Sequence, residues 1–227
     1  VAGGASWLPI TTLTRAELDR RIAETGKPLG SVIHQECDRL ARLVTQSNQL
    51  KVTAPLAYCL REVIRNVFEH AETDCCVLCA QKTADGSVEL AVIDQGRGIR
   101  RSLEERLQFV SDEEALRSAL QPGVSRCVSS DPDNPWENSG FGLFVLSEVG
   151  RELGEFRIVS GQAALHLTGG KICGETVAYR GTAIQLKFRR PAGMNLTQHI
   201  ESVIARGEAI SSSGAVPRAS KSTRDLS

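Results

Sequence analysis

The sequence of 227 residues has no excess of charge of either sign, because 27 Lys and Arg residues balance 27 Asp and Glu residues. This balance gives no indication that nucleic acid or an anionic membrane surface is the main partner. The sequence has no apolar run of about 18 residues that would span a bilayer. Its start, "VAGGASWLPI", lacks the basic and apolar regions of a signal peptide. We therefore expect a cytoplasmic protein.

The sequence also lacks a second Cys-x-x-Cys pair, although it contains seven cysteines. Cys76 and Cys79 form one such pair in "DCCVLCAQK", on a predicted strand, where residues three apart point to opposite faces. Without a second pair, the remaining ligands of a zinc site are missing. The pattern favours two small buried core residues over a zinc or redox site, and reduced thiols over disulfides.

Apolar residues at steps of three and four predict two helices in residues 1–50. The segment "LTRAELDRRIAETG" has Thr14 and Glu17 in capping-box spacing and ends at Gly26. The segment "GSVIHQECDRLARLVTQ" is the second helix. Its expected buried residues are Val32, Ile33, Leu40, Leu43 and Val44. We expect residues 1–50 to form an N-terminal helical extension.

A third helix is predicted over residues 58–72, "YCLREVIRNVFEHAE", with Thr53 as its cap and Pro55 in its first turn. Glu62, Asn66 and His70 follow one another at steps of four on one face. Taken alone, this polar line is either a solvated helix face or the wall of a site. An adjoining apolar stripe, predicted to face the core, consists of Leu60, Val63, Ile64, Val67, Phe68 and Ala71.

The rest of the chain alternates strands and helices in an irregular order. "CCVLCAQK" and "VELAVID" are predicted strands joined at Asp85-Gly86, and "FRIVSG", "AALHLTG" and "TAIQLKF" are three later ones. Between them lie the short helical segments "SLEERLQFV" and "SDEEALRSAL", a polar loop, and the helix "GLFVLSEVGRELG", which ends at Gly154. The order predicts an α+β two-layer sandwich, a mixed and mainly antiparallel sheet covered by helices on one face. Residues 51–190 form the main domain, and residues 191–227 form a short helix (195–205) and a disordered tail.

Two glycine motifs carry candidate chemistry. "VIDQGRGI" ends a strand with Asp94 and continues through Gly96 and Gly98, which let a ligand approach bare backbone; the alternative is a surface loop capped by an Asp. "NSGFGLFVLSEVG" places Gly140 and Gly142 directly before a helix, whose N-terminus attracts phosphate. A Rossmann motif is excluded because a polar loop, not a strand, precedes these glycines, and no Walker P-loop is present.

The order of these motifs resembles the GHKL, or Bergerat-fold, ATP-binding superfamily. An acid and an amide lie four apart on a helix, D-x-G-x-G-I follows a strand, and G-x-G-L and "RGTAIQLKF" come later. That superfamily comprises the gyrase B subunit, the heat-shock chaperones of the ninety-kilodalton class, histidine-kinase catalytic domains and MutL. The resemblance covers residues 54–190 and is closest in style to a stand-alone ATP-binding domain of the histidine-kinase and anti-sigma serine-kinase branch.

The resemblance implies ATP and Mg²⁺ as cofactors and gives each motif a role. Asn66 matches the ligand of Mg²⁺, and Glu62 matches the carboxylate that orients or deprotonates the attacking water. Asp94 matches the acceptor for the adenine amine, Thr182 supports it, and residues 100–139 correspond to the ATP lid. The residues that would shape the base pocket are Gly96, Gly98 and Ile99, and those that would contact the phosphates are Ser139, Gly140, Phe141, Gly142 and Leu143.

His70 departs from the family pattern, and it is either a contact to phosphate or lid or a half-buried structural histidine. His34 is followed by Gln35 and by no Pro, unlike a phosphoacceptor histidine. We expect transfer or hydrolysis of the γ-phosphate through Glu62, with a regulatory protein as partner. The alternatives are a nucleotide-gated binding module with little turnover and a degenerate fold that no longer binds nucleotide. The two N-terminal helices are candidate packing surfaces for a homodimer.

Overall fold

The computed structural model describes residues 6–125 and 140–211. Ser139 and the tail from residue 212 onward, for which predictions were made above, lie outside these ranges, as does most of the polar loop. The elements run in the order β1 (Ser6–Thr14), α1 (Arg15–Thr25), α2 (Leu29–Thr45), α3 (Leu50–His70), β2 (Cys75–Lys82), β3 (Ser87–Asp94), α4 (Ile99–Leu103), α5 (Asp112–Ala119), α6 (Gly142–Leu153), β4 (Gly154–Thr168), β5 (Lys171–Arg189) and α7 (Leu196–Ser211).

The strands form one five-stranded sheet in the order β1-β2-β3-β5-β4, and the helices pack against it, which confirms the α+β sandwich. Each pairing of these described strands is antiparallel, so the expected mixed character is not seen among them. The central pair, β3 and β5, places Asp94 opposite Thr182 at the end of β3. This pairing joins two of the predicted site residues across the sheet.

The first predicted helix is confirmed with its cap. The Thr14 hydroxyl accepts a hydrogen bond from the Glu17 backbone N–H, and the Glu17 carboxylate accepts one from the Thr14 N–H at 3.0 Å. Gly26 ends the helix in the left-handed conformation at φ +65°. On α2 the predicted buried set is right except for Leu43, which is 48% exposed.

The N-terminal strand β1 was missed by the sequence analysis. Pro9 and an irregularity between Leu8 and Thr11 interrupt the alternation by which strands are recognised. Leu8 and Leu13 of β1 are buried in the same core as α2 and α3. The described part of residues 1–50 therefore adds an edge strand and two helices to the sandwich.

Several element boundaries differ from the prediction. Helix α4 spans Ile99–Leu103 rather than 102–110. Strand β5 begins at Lys171 rather than at residue 182, and α7 extends to Ser211 rather than to residue 205.

Helix α3 begins at Leu50, so Pro55 lies inside it and Thr53 does not cap it; the Thr53 hydroxyl instead donates to the Gln49 carbonyl within the first turn. The runs "FRIVSG" and "AALHLTG" form the single strand β4. Gly161, at φ +64°, absorbs a shift of register there without ending the pairing with β5.

The apolar stripe of α3 faces the sheet as predicted: Leu60, Val63, Ile64 and Val67 are buried, and Phe68 is half-buried. This packing fixes the neighbouring polar face of the same helix at the edge of the core. Cys76 and Cys79 lie on opposite faces of β2: Cys76 is buried as predicted, whereas Cys79 is only half-buried, so the prediction of two buried core cysteines is wrong for Cys79. Within the described ranges, no helix has the length and apolar character needed to cross a membrane.

Candidate functional site

A narrow cleft opens between α3, the end of β3, the middle of β5 and the start of α6. The volume open to the centre of a water molecule is about 80 Å³. The predicted site residues that line it are Glu62, Asn66, His70, Asp94, Gly98, Ile99, Gly140, Gly142, Leu143 and Thr182. These residues come from four separate sequence segments, and the fold brings them around one space.

At one end of the cleft, Asp94 offers a buried carboxylate that is only 5% exposed. Its Oδ1 accepts a hydrogen bond from the Gly96 N–H at 2.8 Å. Burial raises the pKa of Asp94 above its ordinary value, while the backbone N–H groups of Gly96 and Thr182 act in the opposite direction. The carboxylate is therefore held in one orientation and retains acceptor capacity toward the cleft.

The Ser160 hydroxyl on β4, which the sequence analysis did not predict, holds the Gly96–Gly98 loop beside Asp94. It donates to the Gly181 carbonyl at 2.7 Å and accepts from the Ile99 N–H at 3.0 Å. Gly98 lies directly against this hydroxyl at φ +78°. The Tyr179 hydroxyl adds a bond to the Asp94 carbonyl at 3.0 Å. We call this hydrogen-bonded group the base end of the cleft, because the predicted base pocket lies there.

The other end is built around Glu62, a buried side chain on α3 with 6% exposure. Its Oε1 lies 3.3 Å from Nε of Arg61, which is itself buried. The Glu62 carboxylate also lies against Gly142, at the start of α6, where there is no room for a Cβ. Glu62 is thus confined between an arginine on its own helix and the backbone of another helix.

Gly140 and Gly142 bring bare backbone to this end. Gly140 has φ +72° and lies too close to the backbone of Gly123 and Val124 to carry a side chain. The Gly123 N–H donates to the Gly140 carbonyl at 3.2 Å. In the part of the chain that is described, no side chain caps α6, so its first N–H groups remain available to an anion. Together with Glu62, these residues form what we call the phosphate end.

Asn66 and His70 lie between the two ends, one and two turns after Glu62 on α3, and both are half-buried. Residues 6–125 and 140–211 contain no group of three or more His, Cys, Asp and Glu side chains arranged to hold a metal ion. The Asn66 amide oxygen fits one position of a Mg²⁺ shell whose other ligands are phosphate oxygens and water, as is usual for this ion with nucleotides.

Two predicted site residues do not reach the cleft. Gly96 packs against the Ala71 carbonyl at the end of α3 and borders a groove on the other side of the loop. Phe141 is fully buried in the core, and its ring lies beside Gly207 of α7 rather than in the cleft. Ser139 lies outside the described residues. The apolar wall of the cleft, not predicted as such, consists of Val63, Val67, Val92, Leu103 and Ile184.

Comparisons with models of protein families, with curated proteins and with solved structures found no match to the chain. The function proposed below therefore depends on the geometry of the cleft and on the order of its motifs.

Proposed function

We propose that the cleft binds Mg·ATP and that Glu62 directs transfer of the γ-phosphate to a partner protein or to water. One observation supports this proposal above all. The same cleft has the buried carboxylate of Asp94 at one end and, at the other, the buried carboxylate of Glu62 beside the uncapped N-terminus of α6. The motif order that resembles the GHKL superfamily supports the same function.

The base end suits adenine. The Asp94 carboxylate accepts hydrogen bonds and donates none when it is ionised, so it pairs with an exocyclic amine and repels a carbonyl oxygen. Val92 and Ile184, on neighbouring strands, line the cleft beside it and offer apolar contact to a flat ring. Adenine has the amine at the required position, whereas guanine has a carbonyl oxygen there.

The phosphate end suits a triphosphate with its metal. The N–H groups at the start of α6 and the positive end of its dipole favour negative charge. Asn66 offers an amide oxygen to Mg²⁺, which would bridge the phosphates. Glu62 lies next to these groups, where it can orient a water molecule or an incoming hydroxyl toward the γ-phosphate.

The cleft must widen to admit a nucleotide, because about 80 Å³ is far less than the space that such a ligand occupies. Ala119, Val124 and Ser125 also line the cleft. They belong to the segment 100–139, which the resemblance to the GHKL superfamily assigns to the ATP lid. We infer that nucleotide binding moves these three residues away from α3.

A second function, a nucleotide-gated binding module, is favoured by the position of Glu62. Its carboxylate is engaged by the buried Arg61 and blocked on one side by Gly142. Release of Glu62 from this arrangement would have to accompany any reaction. If it does not occur, the nucleotide would act only by moving the lid and so changing the surface offered to a partner.

A γ-phosphate assay with Glu62→Gln distinguishes the two functions. If Glu62 directs the reaction, phosphate release and transfer to protein fall by about 10²-fold or more, as for loss of a general base, while ATP affinity is retained. The control is Glu24→Gln, which changes an exposed glutamate on α1. Turnover that is absent in the unchanged protein, together with normal ATP binding, would favour the gated module. Turnover that is equal in Glu62→Gln would exclude a role for Glu62.

A further inference from the structure

A second and larger groove lies on the other side of the Gly96–Gly98 loop. Its volume on the same measure as the cleft is about 960 Å³. One wall is formed by the loop and α4, and the other by β4 and residues 178–181 of β5. Four of the residues that line it are arginines: Arg97, Arg100, Arg101 and Arg180.

The wall formed by β5 is a free strand edge. Strand β3 pairs with β5 only as far as Asp94 and Thr182, whereas β4 continues to pair with β5 down to Lys171. On the side of β5 opposite to β4, residues 171–181 have no strand partner in the described ranges. Most of these residues are exposed. A long exposed edge presents unpaired backbone N–H and C=O groups to another chain.

The charges around the groove favour an acidic occupant. Glu72 is bound by Arg97 at 2.6 Å, and Glu104 is bound by Arg100 at 2.7 Å. The third carboxylate that lines the groove, Asp112, accepts the Gln162 N–H at 2.7 Å and lies 3.8 Å from the Arg100 guanidinium. Each of these three carboxylates therefore already has an ion-pair or hydrogen-bond partner.

Arg101 and Arg180 are exposed, and neither forms an ion pair with a described residue. They lie on opposite walls, Arg101 on α4 and Arg180 on the free edge. An extended segment added to that edge would run between them, and its carboxylates would meet both guanidinium groups.

We propose that this groove binds an extended, acidic segment of a partner protein, which adds to the free edge of β5 as a further strand. The backbone of residues 171–181 supplies hydrogen bonds, and Arg101 and Arg180 select for acidic side chains. This inference does not depend on nucleotide binding in the cleft.

A fluorescein-labelled peptide of eight alternating Glu and Val residues tests the proposal by fluorescence anisotropy. We expect saturable binding that the double substitution Arg101→Glu and Arg180→Glu weakens about tenfold or more, since two favourable charge contacts become repulsive. Arg42→Glu, an exposed change on α2, is the matched control and should leave the affinity unchanged. A peptide of alternating Lys and Val should bind at least tenfold more weakly than the acidic one.

N-methylation of the peptide distinguishes strand addition from simple charge attraction. Only alternate N–H groups of an added strand face the sheet, so methyl groups on one alternate set should abolish binding and those on the other set should be tolerated. Hydrogen exchange of the protein should show new protection in residues 171–181. The proposal is overturned if the acidic peptide does not bind at 1 mM, if both methylated peptides bind alike, or if the double substitution has no larger effect than Arg42→Glu.

Discussion

The two ends of the cleft are held in different ways. At the base end, Asp94, Gly98 and Gly181 are fixed by backbone and hydroxyl hydrogen bonds that join β3, β4 and β5. At the phosphate end, Glu62 is held by one side-chain contact at 3.3 Å and by the fit of α6 against it. The base end is thus part of the sheet, whereas the phosphate end depends on how helices and the segment around Val124 are placed.

The way each end is held determines which step it can serve. A rigid carboxylate at a strand end recognises a base without rearrangement, so its binding energy is not spent on ordering the site. The phosphate end is narrow and must open and reclose, and such motions set the catalytic geometry in many enzymes. We therefore expect changes at the base end to affect stability and affinity together, and changes at the phosphate end to affect mainly turnover.

The largest expected loss of stability comes from Gly181→Ala at the base end. Gly181 has φ +98°, and an added Cβ would overlap the Asp94 carbonyl and the Gln95 backbone, neither of which can move freely. We expect the free energy of unfolding to fall by about 2–4 kcal/mol from strain and displacement of β3. Denaturant unfolding measures this change.

Alanine substitutions at two other glycines serve as comparisons for Gly181→Ala. Gly169→Ala, at φ +54° in the β4–β5 turn, meets nothing within 4 Å and should cost only about 1 kcal/mol. Gly142→Ala at the phosphate end has a helical backbone, and its Cβ would meet the Glu62 side chain. It should therefore lower turnover more than stability. If Gly142→Ala destabilises as much as Gly181→Ala, the two ends do not differ as described.

A smaller loss of stability is expected for Ser160→Ala. The substitution leaves the Gly181 carbonyl and the Ile99 N–H without their shared partner, which should cost about 1–3 kcal/mol of stability. ATP affinity should fall too, because the Gly96–Gly98 loop is no longer fastened to β4. Ser202→Ala, at an exposed serine on α7, is the control. Unchanged stability and affinity in Ser160→Ala would show that the loop is held by other contacts.

The smallest expected effect is a pH dependence of stability and of ATP affinity that arises from the Asp94 carboxyl. Because burial raises its pKa in the folded state, the folded protein binds a proton more readily than the unfolded chain, whose Asp pKa is near 3.8. The contribution of Asp94 to stability should therefore decrease as pH rises from about 3.8 through the raised pKa. Over the same range ATP affinity should increase, since the ionised form accepts the adenine amine. Both trends, measured by unfolding and by titration, should be absent in Asp94→Asn.

Much of the fold could be predicted from local patterns. The stripe on α3, the capping box of α1 and the glycine at the end of α6 each lie within a few residues of sequence. Strand β1 could not be predicted, because it pairs with β2, which is far away in sequence, and because Pro9 interrupts the alternation of apolar and polar residues. Strand β4 was divided at Gly161, since a glycine inside a strand cannot be distinguished by sequence from one at a turn.

In the candidate site, too, the residues of local motifs could be predicted and those that depend on distant contacts could not. Glu62, Asn66 and Asp94 were found because each belongs to a short motif, and the structure places all three at the cleft. Ser160 was missed because its bond to Ile99 joins residues 61 positions apart and no motif surrounds it. Phe141 was predicted as a site residue, yet its side chain lies in the core, because a motif gives residue types and spacing but not the direction of each side chain.

Calorimetric titration with Mg·ATP tests the central proposal most directly. We expect one saturable site in the unchanged protein, and an affinity lower by about 2–3 kcal/mol, roughly a hundredfold, in Asp94→Asn, which loses a charged hydrogen-bond acceptor. Asp19→Asn, at an exposed position on α1, should bind as the unchanged protein does. Absence of saturable binding in the unchanged protein, or equal binding by Asp94→Asn, would contradict the assignment of this cleft as an ATP site.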